Sequence, residues 1–144
     1  YLGRPDLTEK VLRDGWYHSA DFGRLDLNGF LTIEGRRARF SKIGGEMVPH
    51  GVIEENLNEW LEETKKGRGG GYEVMVTAVE DEKKGEALVV LHSCELDEVA
   101  AERALRERGL PALWMPKKYK LVEEIPILAS GKLDLAAGRK LAGG

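Results

Sequence analysis

Residues 35–54 read GRRARFSKIGGEMVPHGVIE, and the fold turns on how this stretch is read. Gly35 lets the backbone turn or approach another chain closely. Arg36 offers a planar fork suited to a phosphate or to paired hydroxyls. Phe40 and Ile43 flank a polar Ser41-Lys42 pair, so residues 37–43 read as a strand. Gly44-Gly45 then breaks that strand, and Pro49 suits the first turn of a helix, where its missing N–H costs nothing. Beyond it Ile53, Leu57, Trp60 and Leu61 recur at helical spacing. Strand, glycine loop and helix in quick succession suit a ligand that passes along the backbone.

Outward from this stretch, composition sets the bounds. The chain has 144 residues, 42% hydrophobic and 33% charged, with a net charge of -3. That suffices for the core of one domain, or of a domain plus a fragment. No apolar run approaches the roughly 18 residues that a membrane helix needs. The opening YLGRPDLTEK has neither the basic start nor the apolar block of a signal peptide. It also lacks an initiator Met, so the chain reads as a piece of a longer protein. The single cysteine, Cys94, excludes an internal disulfide, fits a reducing, cytoplasmic setting, and reads as a small buried apolar residue. The near-neutral charge argues against nucleic acid. Arg36, Arg37 and Arg39 form a local basic spot, read as solvated or as facing an acidic partner.

Asp6 or Thr8 is expected to cap a short first helix. Asp14-Gly15 marks a turn, and Asp26-Leu27-Asn28-Gly29 marks a tight turn between the runs 21–25 and 30–34, a β-hairpin. Gly67 to Gly71 reads as a glycine-rich linker. Residues 72–79 alternate as a strand, 87–92 form a continuous apolar strand, and 120–124 a short one. Asp97 is expected to cap a helix to about Arg108, ended by Gly109 and Pro111, and Asp134 a final helix through Leu141. Residues 125–132 read as a loop. The order gives an α+β fold: a small lobe with a central, mostly antiparallel three-stranded sheet flanked by helices, preceded by the hairpin.

Three motifs stand in register along this framework: Tyr17-His18-Ser19-Ala20-Asp21, then Gly35-Arg36 through Glu54, then Pro126 through Ser130-Gly131-Lys132. Their order and spacing resemble the C-terminal part of the acyl-adenylate-forming ligases, the AMP-binding enzyme family. The runs Lys42-Ile43-Gly44-Gly45-Glu46-Met47-Val48 and Lys84-Gly85-Glu86-Ala87-Leu88 narrow the likeness. They resemble the acyl-acyl-carrier-protein synthetase half of a bacterial bifunctional enzyme, whose other half is a 2-acylglycerophosphoethanolamine acyltransferase.

The resemblance implies a role for each matched residue. Asp21 would grip the ribose hydroxyls of ATP or AMP, with Arg36 near ribose and phosphate. Ser19-Ala20 stands where the family has Thr-Gly, and Ala38 where it has an Asp or Lys hinge. Residues 1–37 would be the tail of a large N-terminal adenylation domain, and 38–144 the C-terminal lobe. Lys132 would enter the active site for adenylation, a cation against the charge that gathers at the α-phosphate. Lys42 matches a lysine used by some members in the second half-reaction, and reads equally as a solvated strand lysine. Gly44 and Gly45 would line a pantetheine tunnel. The implied substrates are a fatty acid and ATP with Mg²⁺. The implied acceptor is the phosphopantetheine thiol of acyl carrier protein or CoA, and the parent would be cytoplasmic or associated with the inner membrane.

Without the resemblance, Asp21 is a turn aspartate and Lys132 an ordinary loop lysine. Gly131-Lys132 is no Walker loop, because Pro126 occupies the position of its first glycine. His18, His50 and His92 have no metal-ligand spacing, so no metal site is expected. Three readings stay open: the lobe of an acyl-carrier-protein ligase, the lobe of an acyl-CoA synthetase, and a docking module without catalysis.

Overall fold

The computed structural model describes residues 1–64 and 71–143. The expected linker 67–71 lies outside them, except for Gly71. The chain divides into two compact units that meet in sequence at Ala38 and Arg39.

The first unit is a short helix and two hairpins. Helix α1 (Pro5–Val11) starts on a proline and has no side-chain cap. The expected caps do other work: Asp6 pairs with Arg4 at 2.7 Å, and the Thr8 hydroxyl donates back to the Arg4 carbonyl. Strands β1 (Leu12–Arg13) and β2 (Trp16–Tyr17) fold about Asp14-Gly15, both left-handed, as a mirror-type turn requires. Strands β3 (Asp21–Leu25) and β4 (Leu31–Arg36) form the expected hairpin. Its turn is closed by the Asp26 carboxylate, which accepts from the amides of Asn28 and Phe30. No residue of this unit is buried.

The second unit is a five-stranded sheet covered by helices on both faces. Strands β5 (Phe40–Ile43), β6 (Glu46–Pro49), β7 (Val74–Asp81) and β8 (Gly85–His92) run in the order β6-β5-β8-β7, and β9 (Lys118–Leu121) pairs parallel to β8. The expected three-stranded sheet is therefore five-stranded: β5, β7, β8 and β9 answer to strands read from the sequence, and β6 is additional. Gly44-Gly45, read as a break, is the two-residue turn of the β5–β6 hairpin, with φ of 57° and 93°. Both values lie where glycine has no steric cost. Two further corrections concern boundaries. Residues Arg37–Arg39 form a 3₁₀ turn, so the strand begins only at Phe40. Pro49 ends β6 and caps helix α2 (His50–Glu63) in extended conformation rather than sitting in its first turn.

Alternation along β7 and β8 feeds two cores. Val74, Val76, Leu88 and Val90 face α2 and α3 (Glu98–Glu107), where they meet Ile53, Leu57, Leu61, Ala101 and Leu105. Met75, Val89 and Leu91 face α4 (Leu135–Gly143), with Ile125 and Ala142. A strand covered on both faces has no polar side, which is why 87–92 reads as one apolar run. Each fully buried Leu or Ile side chain contributes about 1.5–3 kcal/mol. The helix starts are local and as expected: Asp97 accepts from the Ala100 amide at 3.0 Å, and Asp134 from those of Ala136 and Ala137. Cys94 is buried in the first core.

Candidate functional site

In the first unit the β3–β4 register sets Asp21 opposite Arg36. Arg36 Nε reaches Asp21 Oδ1 at 2.9 Å, and its Nη1 donates to the Ser19 carbonyl at 3.3 Å. Such cross-strand pairs are fixed by the ladder and cost little to hold. Arg36 is largely exposed and the Asp21 side chain is 26% exposed, so the second carboxylate oxygen remains available to a hydroxyl donor. Just before it, the Ser19 hydroxyl accepts from the Asp21 amide, and Ala20 is held at φ 61° by the Arg37 amide on its carbonyl. That left-handed position favours glycine, which explains why alanine is the departure there. The two nucleotide candidates thus meet in one place.

In the second unit the β5–β6 hairpin buries Ser41 and Ile43 and turns Lys42 outward, exposed. Its tip is tied from behind. The Lys42 amide donates to Glu86 Oε2 at 2.6 Å and the Gly44 amide to the Lys84 carbonyl at 3.1 Å. Trp114 Nε1 donates to Glu46 Oε1 at 2.8 Å. A side chain at Gly44 would meet only ordinary contact with Leu113, and at Gly45 nothing, so these glycines answer to backbone conformation. Beside the hairpin lies a cavity of about 290 Å³ with an apolar lining of Ile43, Leu113 and Met115 and the lysines Lys83, Lys84 and Lys117. Lys117 is paired with Asp81. Sequence reading assigned no role to these lysines or to Trp114. The one signal was the quoted run from Lys84 to Leu88.

Lys132 stands elsewhere on the same unit. Its segment, read as a loop, is a closed miniature hairpin. Ile127 bridges Leu133, the Gly131 amide donates to the Leu128 carbonyl, and the Leu128 amide to the Lys132 carbonyl. Gly131, at φ 79°, supplies the left-handed residue of such a turn. Lys132 is exposed and, among the described residues, forms no ion pair. Leu133 packs into the α4-side core, whereas Ile43 and Val48 belong to the α2-side core. The two candidate lysines are therefore carried by separate hairpins of this unit, one built into the sheet and one packed on it through Leu133.

Arg39 corrects the expected basic spot. Its guanidinium grips Glu54 with both arms, and Glu54 Oε1 also accepts from the Val76 amide at 2.7 Å. Glu54 is buried, so Arg39 is an internal partner rather than a solvated charge. Nearby, buried His50 shares a 2.7 Å hydrogen bond between Nε2 and the Ser41 hydroxyl. Burial, then Arg39 and Arg139, push its pKa down to about 4.

No family model matches the chain. It is 34% identical over 143 residues to a 2-succinylbenzoate–CoA ligase of Bacillus mycoides, covering 98% of this chain and 28% of that one. It is 32% identical over 148 residues to a medium-chain fatty-acid–CoA ligase of Escherichia coli, covering 97% and 24%. Among solved structures, the amide bond synthetase McbA from Marinactinospora thermotolerans superposes with a TM-score of 0.69 at 25% identity, over 97% of this chain and 27% of that one. The chain spans about a quarter of the length of the curated relatives it matches. In sequence and in fold it matches the C-terminal domain of the AMP-binding acyl- and aryl-CoA ligase family.

Proposed function

We propose that this chain is the C-terminal lobe of an ATP-dependent ligase that joins a fatty acid to AMP and then passes the acyl group to a phosphopantetheine thiol. The observation that carries the reading is the placement of Lys132 and the Lys42–Gly45 turn on two separate hairpins of one unit. One body with two presenting turns suits two half-reactions performed in turn, with rotation about the chain near Ala38 exchanging them. In the first, the Lys132 ammonium neutralises charge between the attacking carboxylate and the α-phosphate, while Asp21 and Arg36 orient ribose and phosphate. In the second, the acyl-adenylate meets the thiol arm at the Gly44-Gly45 turn, and the neighbouring lysines suit the phosphates of the arm's carrier.

Exposed Trp16, Phe30, Leu31 and Ile33 on the first unit support its reading as the tail of a larger domain that covers them. The resemblance of residues 42–48 and 84–88 supports acyl carrier protein as the acceptor. The naming of the relatives as CoA ligases supports CoA instead. Thioester assays with holo carrier protein and with CoA side by side decide between them.

The test is Lys132→Ala in the full-length ligase. Pyrophosphate release from acid and ATP should fall by about a hundredfold or more, the scale of losing one charge-stabilising group, while thioester formation from supplied acyl-adenylate survives. If neither step changes, Lys132 is an ordinary surface lysine, and a docking module without catalysis replaces the ligase lobe.

A further inference from the structure

The β5–β6 hairpin joins the sheet through a single residue pair, Ile43 with Gly85. Buried Ile43 and Val48 and the Ser41–His50 bond root the base of the hairpin in the α2-side core. Three further contacts hold its tip. Two of them, the Lys42 amide on Glu86 and the Gly44 amide on the Lys84 carbonyl, fix the near strand to the β7–β8 turn. The third reaches the far side of the turn: Trp114 Nε1 donates to Glu46 Oε1, directly after Gly45. Trp114 ends the 3₁₀ turn Ala112–Trp114, packs partly buried against the α2-side core, and follows Leu113, which lies against Gly44.

We infer that Trp114 and Glu46 are positioning residues for the thiol-transfer step, holding the Gly44-Gly45 turn at the height and angle the thiol arm needs. This rests on the two-step reading above. The indole–carboxylate bond spans 68 residues of sequence and closes a bracket around the turn, with the core-packed ring as its fixed post. A charged acceptor makes the bond stronger than a neutral pair would be. Its length and angle, rather than the bulk of either side chain, set where the turn sits. Lys132 lies on a hairpin outside the bracket, so adenylation is independent of it.

The experiment uses the full-length ligase and measures pyrophosphate release and thioester formation separately. Trp114→Phe keeps the ring and removes the donor, and Glu46→Ala removes the acceptor. Each should slow thioester formation about tenfold, within the range that small misplacements cost, and leave pyrophosphate release unchanged. The double variant should be no slower than either single one, because both break the same bond. Glu46→Gln, which keeps an acceptor oxygen, should restore most of the rate. The inference is overturned if Trp114→Phe leaves thioester formation intact, or if both steps fall together, as a folding defect would make them. Gly45→Val separates the two levels. If it abolishes thioester formation while Trp114→Phe does not, the positioning role alone falls. If the unaltered ligase forms no acyl-adenylate, the underlying reading falls first.

Discussion

His50 shows how a residue's chemistry is set by neighbours that its sequence position does not reveal. It looks like a polar helix-start residue, yet it is buried with its Nε2 on Ser41 and, among the described residues, no partner for its Nδ1. Its ordinary pKa of 6.5 falls to about 4, because burial penalises the cation and Arg39 and Arg139 repel it. The folded state therefore binds fewer protons than the unfolded chain between these values. Stability is unaffected above pH 6.5 and falls as the pH drops towards 4, by about 3 kcal/mol if His50 acts alone. Urea midpoints measured from pH 7 to 4 should show this slope, and His50→Gln should flatten it. A slope unchanged in the variant would assign it to carboxylates instead. Glu54 makes the same point. Its partners lie 15 residues before and 22 residues after it, so nothing local marks it as buried. Asp97 and Asp134, by contrast, bond amides two or three residues away and were legible from spacing alone.

Helix α4 poses a question of sign. An alanine is about 1 kcal/mol better than glycine inside a helix, so Gly138→Ala should stabilise on propensity alone. Packing reverses that. An added Cβ would lie 2.2 Å from Met75 Cε and 2.6 Å from its sulfur, and Met75 is fully buried in β7. We expect Gly138→Ala to cost about 1–3 kcal/mol by overpacking, read from denaturant unfolding, and Met75→Ala to cost less in that background than in the unaltered chain. Stabilisation by the single variant would mean that α4 rides above the sheet rather than on it. At this scale the sequence told helices from strands well, because their apolar periods differ. It missed the β5–β6 hairpin, since four-residue strands around Gly44-Gly45 carry too few alternating positions to distinguish a turn from a break.

Across the molecule, burial is divided unequally. Every buried residue belongs to the unit that starts at Arg39, and the first unit exposes Trp16, Tyr17, Phe30 and Ile33. Isolated hairpins without a covered apolar face are marginal in water. A chain starting at Arg39 should therefore unfold at nearly the same denaturant midpoint as the whole chain. In hydrogen exchange, amides of β3 and β4 should exchange far faster than those of β7 and β8. Matching protection in the two units would show that the first has a core of its own. Sequence by itself determined the α+β class, the β3–β4 hairpin and the capped starts of α3 and α4, because each follows from contacts close along the chain or from the period of apolar residues. Only the tertiary structure decided that β9 runs parallel to β8, that Arg39 belongs inside with Glu54, that Trp114 meets Glu46, and that Lys42 and Lys132 stand on separate hairpins. Those outcomes depend on register and on which faces of the sheet are covered. Both are set by long-range packing that no local pattern encodes.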